Sequence, residues 1–290
     1  MSFDLQRIQK STRRVKKFLR EHPKEPGVNA VHNLRTSTRS LETTFVTLGI
    51  TANAKVRRLL RDLRDVRKRA GKVRDMDVLT ADVLTLTRES EQECYVQLVE
   101  YLGAERIKYA KKLRNTVVSA GPQVRRNLKR NCKRLKKVLE RPETRQVSSE
   151  AVPATIAKAM QLSSSLTAPA RLNRKNLHRY RLKVKELRDV LQLSEKAGDQ
   201  EFFDALGAVK DAIGEWHDWE TLITIAAQVL GHDESCKLIK QLELISKAKY
   251  ERALSITNHF RSRYVKPEKH GARRFSFPAP VLRATSAIAA

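Results

Sequence analysis

Cysteine is scarce in this 290-residue chain: Cys94, Cys132 and Cys236 are scattered and form no Cys-x-x-Cys pair. An odd, widely spaced set argues against a disulfide framework, and the reading is three reduced thiols in a cytosolic protein. Aromatics make up 6% of residues and mostly fall at core spacing, so no stacking platform for unpaired bases is evident. Long apolar runs are missing too. Leu222–Leu230, interrupted by Gln228, is far too short to span a membrane, and no exposed apolar face suggests surface anchoring. Met1–Lys10 is polar, so no secretory signal is expected. Acids are few beside the bases: 32 Asp+Glu against 59 Lys+Arg, a net charge of +27. That imbalance calls for an acidic partner. With 10 Gly, 9 Pro and 40% hydrophobic residues, the chain is neither low-complexity nor too polar for a core.

Proline is absent from Gly27 to Gly121 and again from Ala170 to Lys266, while Pro122, Pro142, Pro153 and Pro169 punctuate the middle. Two long proline-free blocks predict two helical units joined by a punctuated segment. Inside them apolar residues recur at helical steps, as in Leu34, Leu41, Phe45 and Leu48, or Leu177, Tyr180, Val184, Leu187 and Leu191. No period-two run is long enough for a strand, and Glu91–Val118 and Glu234–Tyr264 are candidates for long single helices. The fold class is all-α. The tail from Pro267, with Lys269, His270, Arg273 and Arg274, is expected to be loosely ordered.

Gln123–Glu140 is exceptionally basic. Arg125, Lys129, Lys133 and Lys137 step by four along one side; Arg126, Arg130 and Arg134 form a neighbouring row; Val124, Leu128, Leu135 and Leu139 are left for a core. Arg13-Arg14-Val15-Lys16-Lys17-Phe18-Leu19 matches Lys133-Arg134-Leu135-Lys136-Lys137-Val138-Leu139 by position, a first sign of duplication.

A clearer repeat aligns Val31-His32-Asn33-Leu34-Arg35 with Leu177-His178-Arg179-Tyr180-Arg181, then Arg39 with Lys185, Leu41 with Leu187 and Phe45 with Leu191. At about 100° per residue, Arg181, Lys185 and Arg188 lie within about 80° of His178, beside the apolar stripe. Glu186 and Asp189 fall on the side away from that core, and Glu42 occupies the place of Arg188 in the first copy. Long cations flanking a core often do no more than snorkel into water. Two copies with one His-x-x-Arg-x-x-x-cation spacing favour convergence in a bundle, which costs repulsion and desolvation unless an anion fills the space.

Each copy is followed by a second element: Gly71-Lys72-Val73-Arg74-Asp75-Met76-Asp77 and Gly214-Glu215-Trp216-His217-Asp218-Trp219-Glu220. Gly71 and Gly214 suit the left-handed position after a helix, and Asp75 and Asp218 suit N-caps of the next one. Arg74 and His217 fit either ligand contact or plain surface. A metal site on Asp75 and Asp77 would be poorly supplied with further ligands.

Together these two doubled motifs resemble the CHAD domain, the conserved histidine α-helical domain, over about residues 3–265. The resemblance implies two pseudo-symmetric antiparallel helical bundles forming a basic central pore or cleft, one repeat in 3–121 and another in 122–265 with linker helices, followed by the tail 266–290. It also implies binding of inorganic polyphosphate and association with polyphosphate granules. The family's histidines and basic residues map onto His32, Arg35, Arg39, His178, Arg181, Lys185 and Arg188; Arg74, Arg125, Lys129 and Lys133 join them as candidate ligand contacts. Glu42 and Lys185 depart from the usual pattern. The Glu-x-Glu-x-Lys mark of a CYTH-type triphosphatase is absent, so the chain reads as a stand-alone binding domain. A P-loop, an HExxH helix and a carboxylate cluster beyond the expected caps are missing as well, so neither catalysis, metal nor cofactor is expected. The alternative is a nucleic-acid-binding basic helical module, with Arg125–Lys137 contacting RNA or DNA nonspecifically; no zinc finger, RNP motif or recognition helix supports sequence-specific reading.

Overall fold

The computed structural model describes residues 5–47, 51, 53–86, 92–140, 156–192, 200–231 and 236–265. The expected features of the tail from Pro267 lie outside these residues. Helices follow one another as α1 (Leu5–Glu21), α2 (Val28–Thr47), α3 (Ala54–Val83), α4 (Gln92–Glu140), α5 (156–165), α6 (Arg174–Leu191), α7 (Gln200–Val229) and α8 (Lys237–Tyr264). No strand occurs among the described residues. Asparagines start two of the helices. Asn53 Oδ1 accepts from the Lys55 amide and Asn173 Oδ1 from the Lys175 amide, each at 2.9 Å, which satisfies donors that a helix start leaves unpaired.

Three cores hold the helices together. The first joins α1, α2, the first part of α3 and the second half of α4, through residues such as Val15, Leu34, Phe45, Leu63, Leu113 and Leu128. The second joins α5, α6, the first part of α7 and the end of α8, through Leu162, Tyr180, Leu187, Phe202, Ile213 and Phe260. The third lies between them: Leu79 and Val83 of α3 and Leu98 and Leu102 of α4 meet Trp219 and Leu222 of α7 and Leu242 of α8. With 30 residues each, α3 and α7 are about 45 Å long. Each starts in the core of its own half and ends in the shared one.

Pro122 does not end a helix. The 49-residue α4 passes through it, and Val124, Leu128 and Leu135 beyond it pack in the first core. The expected boundary at 121/122 therefore falls inside one helix, and the basic stretch up to Glu140 belongs to the first half. Pro122 is exposed, and Val118, whose carbonyl loses its usual donor, is 52% exposed, so water can take that donor's place. Gly121 has a packing role: a Cβ there would stand 3.4 Å from the Leu19 carbonyl, so its absence lets α1 come close. Thr12 Oγ1 also meets Cys132 Sγ at 3.2 Å, which fixes α1 antiparallel to α4. The matching segments Arg13–Leu19 and Lys133–Leu139 are thus neighbours in one half, not counterparts across the two. None of the three cysteines is in a disulfide.

The glycine motifs are also interior. α3 runs unbroken through Gly71–Asp77 and α7 through Gly214–Glu220, so Asp75 and Asp218 are not N-caps and neither glycine adopts a left-handed conformation. Sequence punctuation is misleading here because hydrophobic packing on both sides of each glycine outweighs its local cost of about 0.5–1 kcal/mol.

Candidate functional site

In α2, Val31, Leu34, Leu41 and Phe45 are buried, which fixes the helix rotation and turns His32, Arg35 and Arg39 to the side. Leu177, Tyr180, Val184 and Leu187 do the same in α6 for His178, Arg181 and Lys185. The two helices pack against each other, so the cations of both halves face one region. Arg39 Nε and Asp189 Oδ2 form an ion pair at 2.9 Å across the halves. Arg35 Nη1 stands 3.6 Å from Asp75 Oδ1 on α3. Arg181 lies flat against α7, its Nε donating to the Lys210 carbonyl at 3.1 Å. A Cβ on Gly214 would stand 2.7 Å from Arg181 Nη2. One heptad away, Arg188 crosses α7 at Gly207 with its guanidinium 4.3 Å from the centre of the Phe203 ring.

The field of this region shows in its titrating groups. Lys185 is pushed down to about 7, first by burial and then by Arg39 and Arg181, with Asp189 opposing. His32 is lowered by burial, then by Arg74, Arg35 and Arg14. The rings of His178 and His217 are in contact, tilted by 45° with centroids 4.1 Å apart. Both are lowered, by burial first and then by Arg181 among their neighbours, which favours neutral imidazoles. Burial raises Asp75 and Asp189 despite the cations around them. It lifts Asp218 to about 6, with Arg181 opposing and Asp82 and Asp75 adding to the rise. Burial also acts to raise Glu42, but hydrogen bonds from Arg64 and Arg67 overcome it and hold that carboxyl below its ordinary range.

The second motif has a consistent division of labour in both copies. Arg74 or His217, and Asp75 or Asp218, turn toward the central charges. The last acid ties its helix to the next. Arg106 Nε of α4 donates to Asp77 Oδ1 at 2.6 Å, and Ser246 Oγ of α8 donates to Glu220 Oε1 at 2.5 Å. Asp75 and Asp77 therefore serve different partners and do not form a joint metal site. Among the described residues no group of three or more His, Cys, Asp or Glu is placed to hold a metal ion.

A family model for the CHAD domain matches residues 6–227 of the chain. The chain is a CHAD-domain protein. The family is linked in general to polyphosphate binding. Among solved structures, PptA from Streptomyces chartreusis is similar in fold, with a TM-score of 0.54 over 90% of this chain and 99% of that one. The identity is 13%, so the likeness concerns the fold alone. No curated protein matches the chain.

The CHAD helices thus bring together His32, Arg35, Arg39, Arg74, His178, Arg181 and Lys185. Arg188 borders the group, and its charge reaches Asp189. Arg125, Lys129 and Lys133 do not join it: they lie on the outer side of α4, Lys129 and Lys133 exposed, with no ion pair to any described residue. The side chain of Lys137 lies outside the described residues. Two features of the CHAD site are not evident in the sequence. A helical wheel puts Asp189 on the outside of α6, yet that side is covered by α2; one wheel accounts for one core, and this helix is packed on two sides. Arg67 belongs to neither repeated motif. It lies seven residues before Arg74 on α3, and it acts on Arg35, Arg39 and Asp189. That heptad spacing from Arg74 is the signal that could have found it. A separate surface pocket between residues 170–173 and α8, lined by Arg171, Tyr250 and His259, contains none of these groups.

Proposed function

We propose that this protein binds inorganic polyphosphate at the central cations without cleaving it, and that this binding brings it to polyphosphate granules in the cytoplasm. The observation that carries the reading is Lys185, half-buried among Arg39, Arg181 and Arg35, which come from both halves. Such a gathering is unfavourable by itself and becomes favourable when phosphates supply the missing negative charge. Arginine holds phosphate oxygens through paired N–H donors, and lysine acts as a compact charge beside them. The neutral His32 and His178 can each donate one N–H. Nδ1 of His178 is buried without a partner.

Binding of a labelled long-chain polyphosphate tests this. Converting Arg35, Arg39, Arg181 and Lys185 together to Gln should weaken it at least a hundredfold while helical content and melting temperature stay near wild type. Retained binding in the folded variant would refute the site. Steady shortening of polyphosphate by the pure protein with Mg²⁺ would refute the non-catalytic part.

A further inference from the structure

The cations that the central site leaves out form a surface of their own. From Arg106 to Leu139, α4 contains no Asp or Glu, and α1 contains none before its last residue, Glu21. The contacts Thr12–Cys132 and Leu19–Gly121 place these stretches side by side and antiparallel. Rotation about each axis follows from the buried residues. Ile8, Val15 and Leu19 fix α1, and Val124, Leu128 and Leu135 fix α4. At about 100° per residue, Arg125, Lys129 and Lys133 then line the α4 side of the shared groove, Arg13, Lys16 and Arg20 line the α1 side, and Lys17 stands on the outer crest of α1. Lys16 is close enough to act on Cys132. Apart from Arg20 with its neighbour Glu21 at 3.6 Å, none of these cations has an ion pair with a described residue.

We infer that the α1–α4 face is a second polyanion site, docking the sugar-phosphate backbone of duplex DNA without reading its sequence. Three features select a duplex. The cations spread over an open ridge about 15 Å long, with successive members of a row about 6 Å apart, instead of converging on one point. The two rows ride on helices whose axes are about 8–10 Å apart. Long, flexible Lys and Arg side chains make up the difference between that separation and the groove widths of about 6 and 12 Å, so each row can meet the phosphates of a different strand. A single flexible chain would satisfy one row at a time. The third feature is the lack of an exposed aromatic: Phe18 of α1 is buried and Tyr109 of α4 packs on the first core, so unpaired bases find no ring to stack on.

The face and the central site are separable in one experiment. Binding of a labelled duplex DNA and of long-chain polyphosphate is measured at several salt concentrations. The proteins are wild type, a face variant (Arg13→Gln, Lys17→Gln, Lys129→Gln, Lys133→Gln) and the central variant described above. The face variant should bind duplex at least tenfold more weakly, with a salt slope shallower by about 0.9 for each phosphate it no longer neutralises. Its polyphosphate affinity should stay within twofold of wild type. Wild-type protein that does not bind duplex, or a face variant that binds it normally, would overturn the inference. So would equal weakening toward both ligands in the face variant, which would make the ridge an outer track for polyphosphate, or loss of duplex binding in the central variant.

Discussion

Lys185 has an ammonium whose charge is costly until a ligand's negative charge arrives, and this gives binding a pH dependence. Below about 7 it is protonated, and above that value the ligand-free protein holds it mostly neutral. A phosphate restores the proton, so binding above pH 7 takes a proton from solvent. Affinity for polyphosphate should be nearly flat from pH 6 to 7 and then fall by up to tenfold per pH unit. Lys185→Arg should remove that fall, since guanidinium stays charged; titrations at pH 6, 7, 8 and 9 check both. Stability of the ligand-free protein carries the matching sign. A lysine at about 7 when folded, against its ordinary 10.5, imposes its full penalty below pH 7, and the penalty is relieved as pH rises toward 10.5. Asp218, lifted to about 6, works in the opposite sense: its penalty grows as pH climbs from about 4 to 6. Glu42 gives a second test at this scale. It neutralises Arg64 and Arg67, and Arg67 faces the centre, so Glu42→Gln should tighten polyphosphate binding severalfold while lowering the melting temperature. Unchanged affinity would place Arg67 outside the ligand's reach.

The two interior glycines of α3 and α7 look equivalent in the sequence and are not equivalent in the structure. Nothing stands within 4 Å of a Cβ built on Gly71, whereas one on Gly214 meets Arg181 at 2.7 Å. Gly71→Ala should stabilise the protein by about 0.5–1 kcal/mol through helix propensity. Gly214→Ala should lose that gain and weaken polyphosphate binding, because Arg181 must leave its place on α7. Urea melts and the binding titration together distinguish the pair. Helix content, the His-x-x-Arg-x-x-x-cation spacing and the inward turn of Arg35, Arg39, Arg181 and Lys185 were legible in the sequence because they depend on local periodicity. The continuation through Pro122, the role of Gly214 and the Arg39–Asp189 pair were not. Each depends on a helix that arrives from a distant part of the chain.

At the scale of the whole molecule, the third core joins the halves, and the expectation is that they unfold together. α3, α4, α7 and α8 each contribute buried side chains to it, so the long helices of both halves end in one common core. Leu222→Ala, at a fully buried position, should cost about 2–5 kcal/mol. Calorimetry should show one transition moving down as a unit. Two separated transitions would mean that the halves fold independently.

The acids of the central site shape which anions can enter. Asp189 on Arg39 and Asp75 beside Arg35 are place-holders, carboxylates that already satisfy part of the positive charge. A solitary orthophosphate must evict one of them for little net gain. A polymer meets that threshold once, and its later units arrive already tethered at high effective concentration. On the proposed function, preference for long chains over orthophosphate should therefore depend on Asp189 and Asp75 as much as on the cations they pair with.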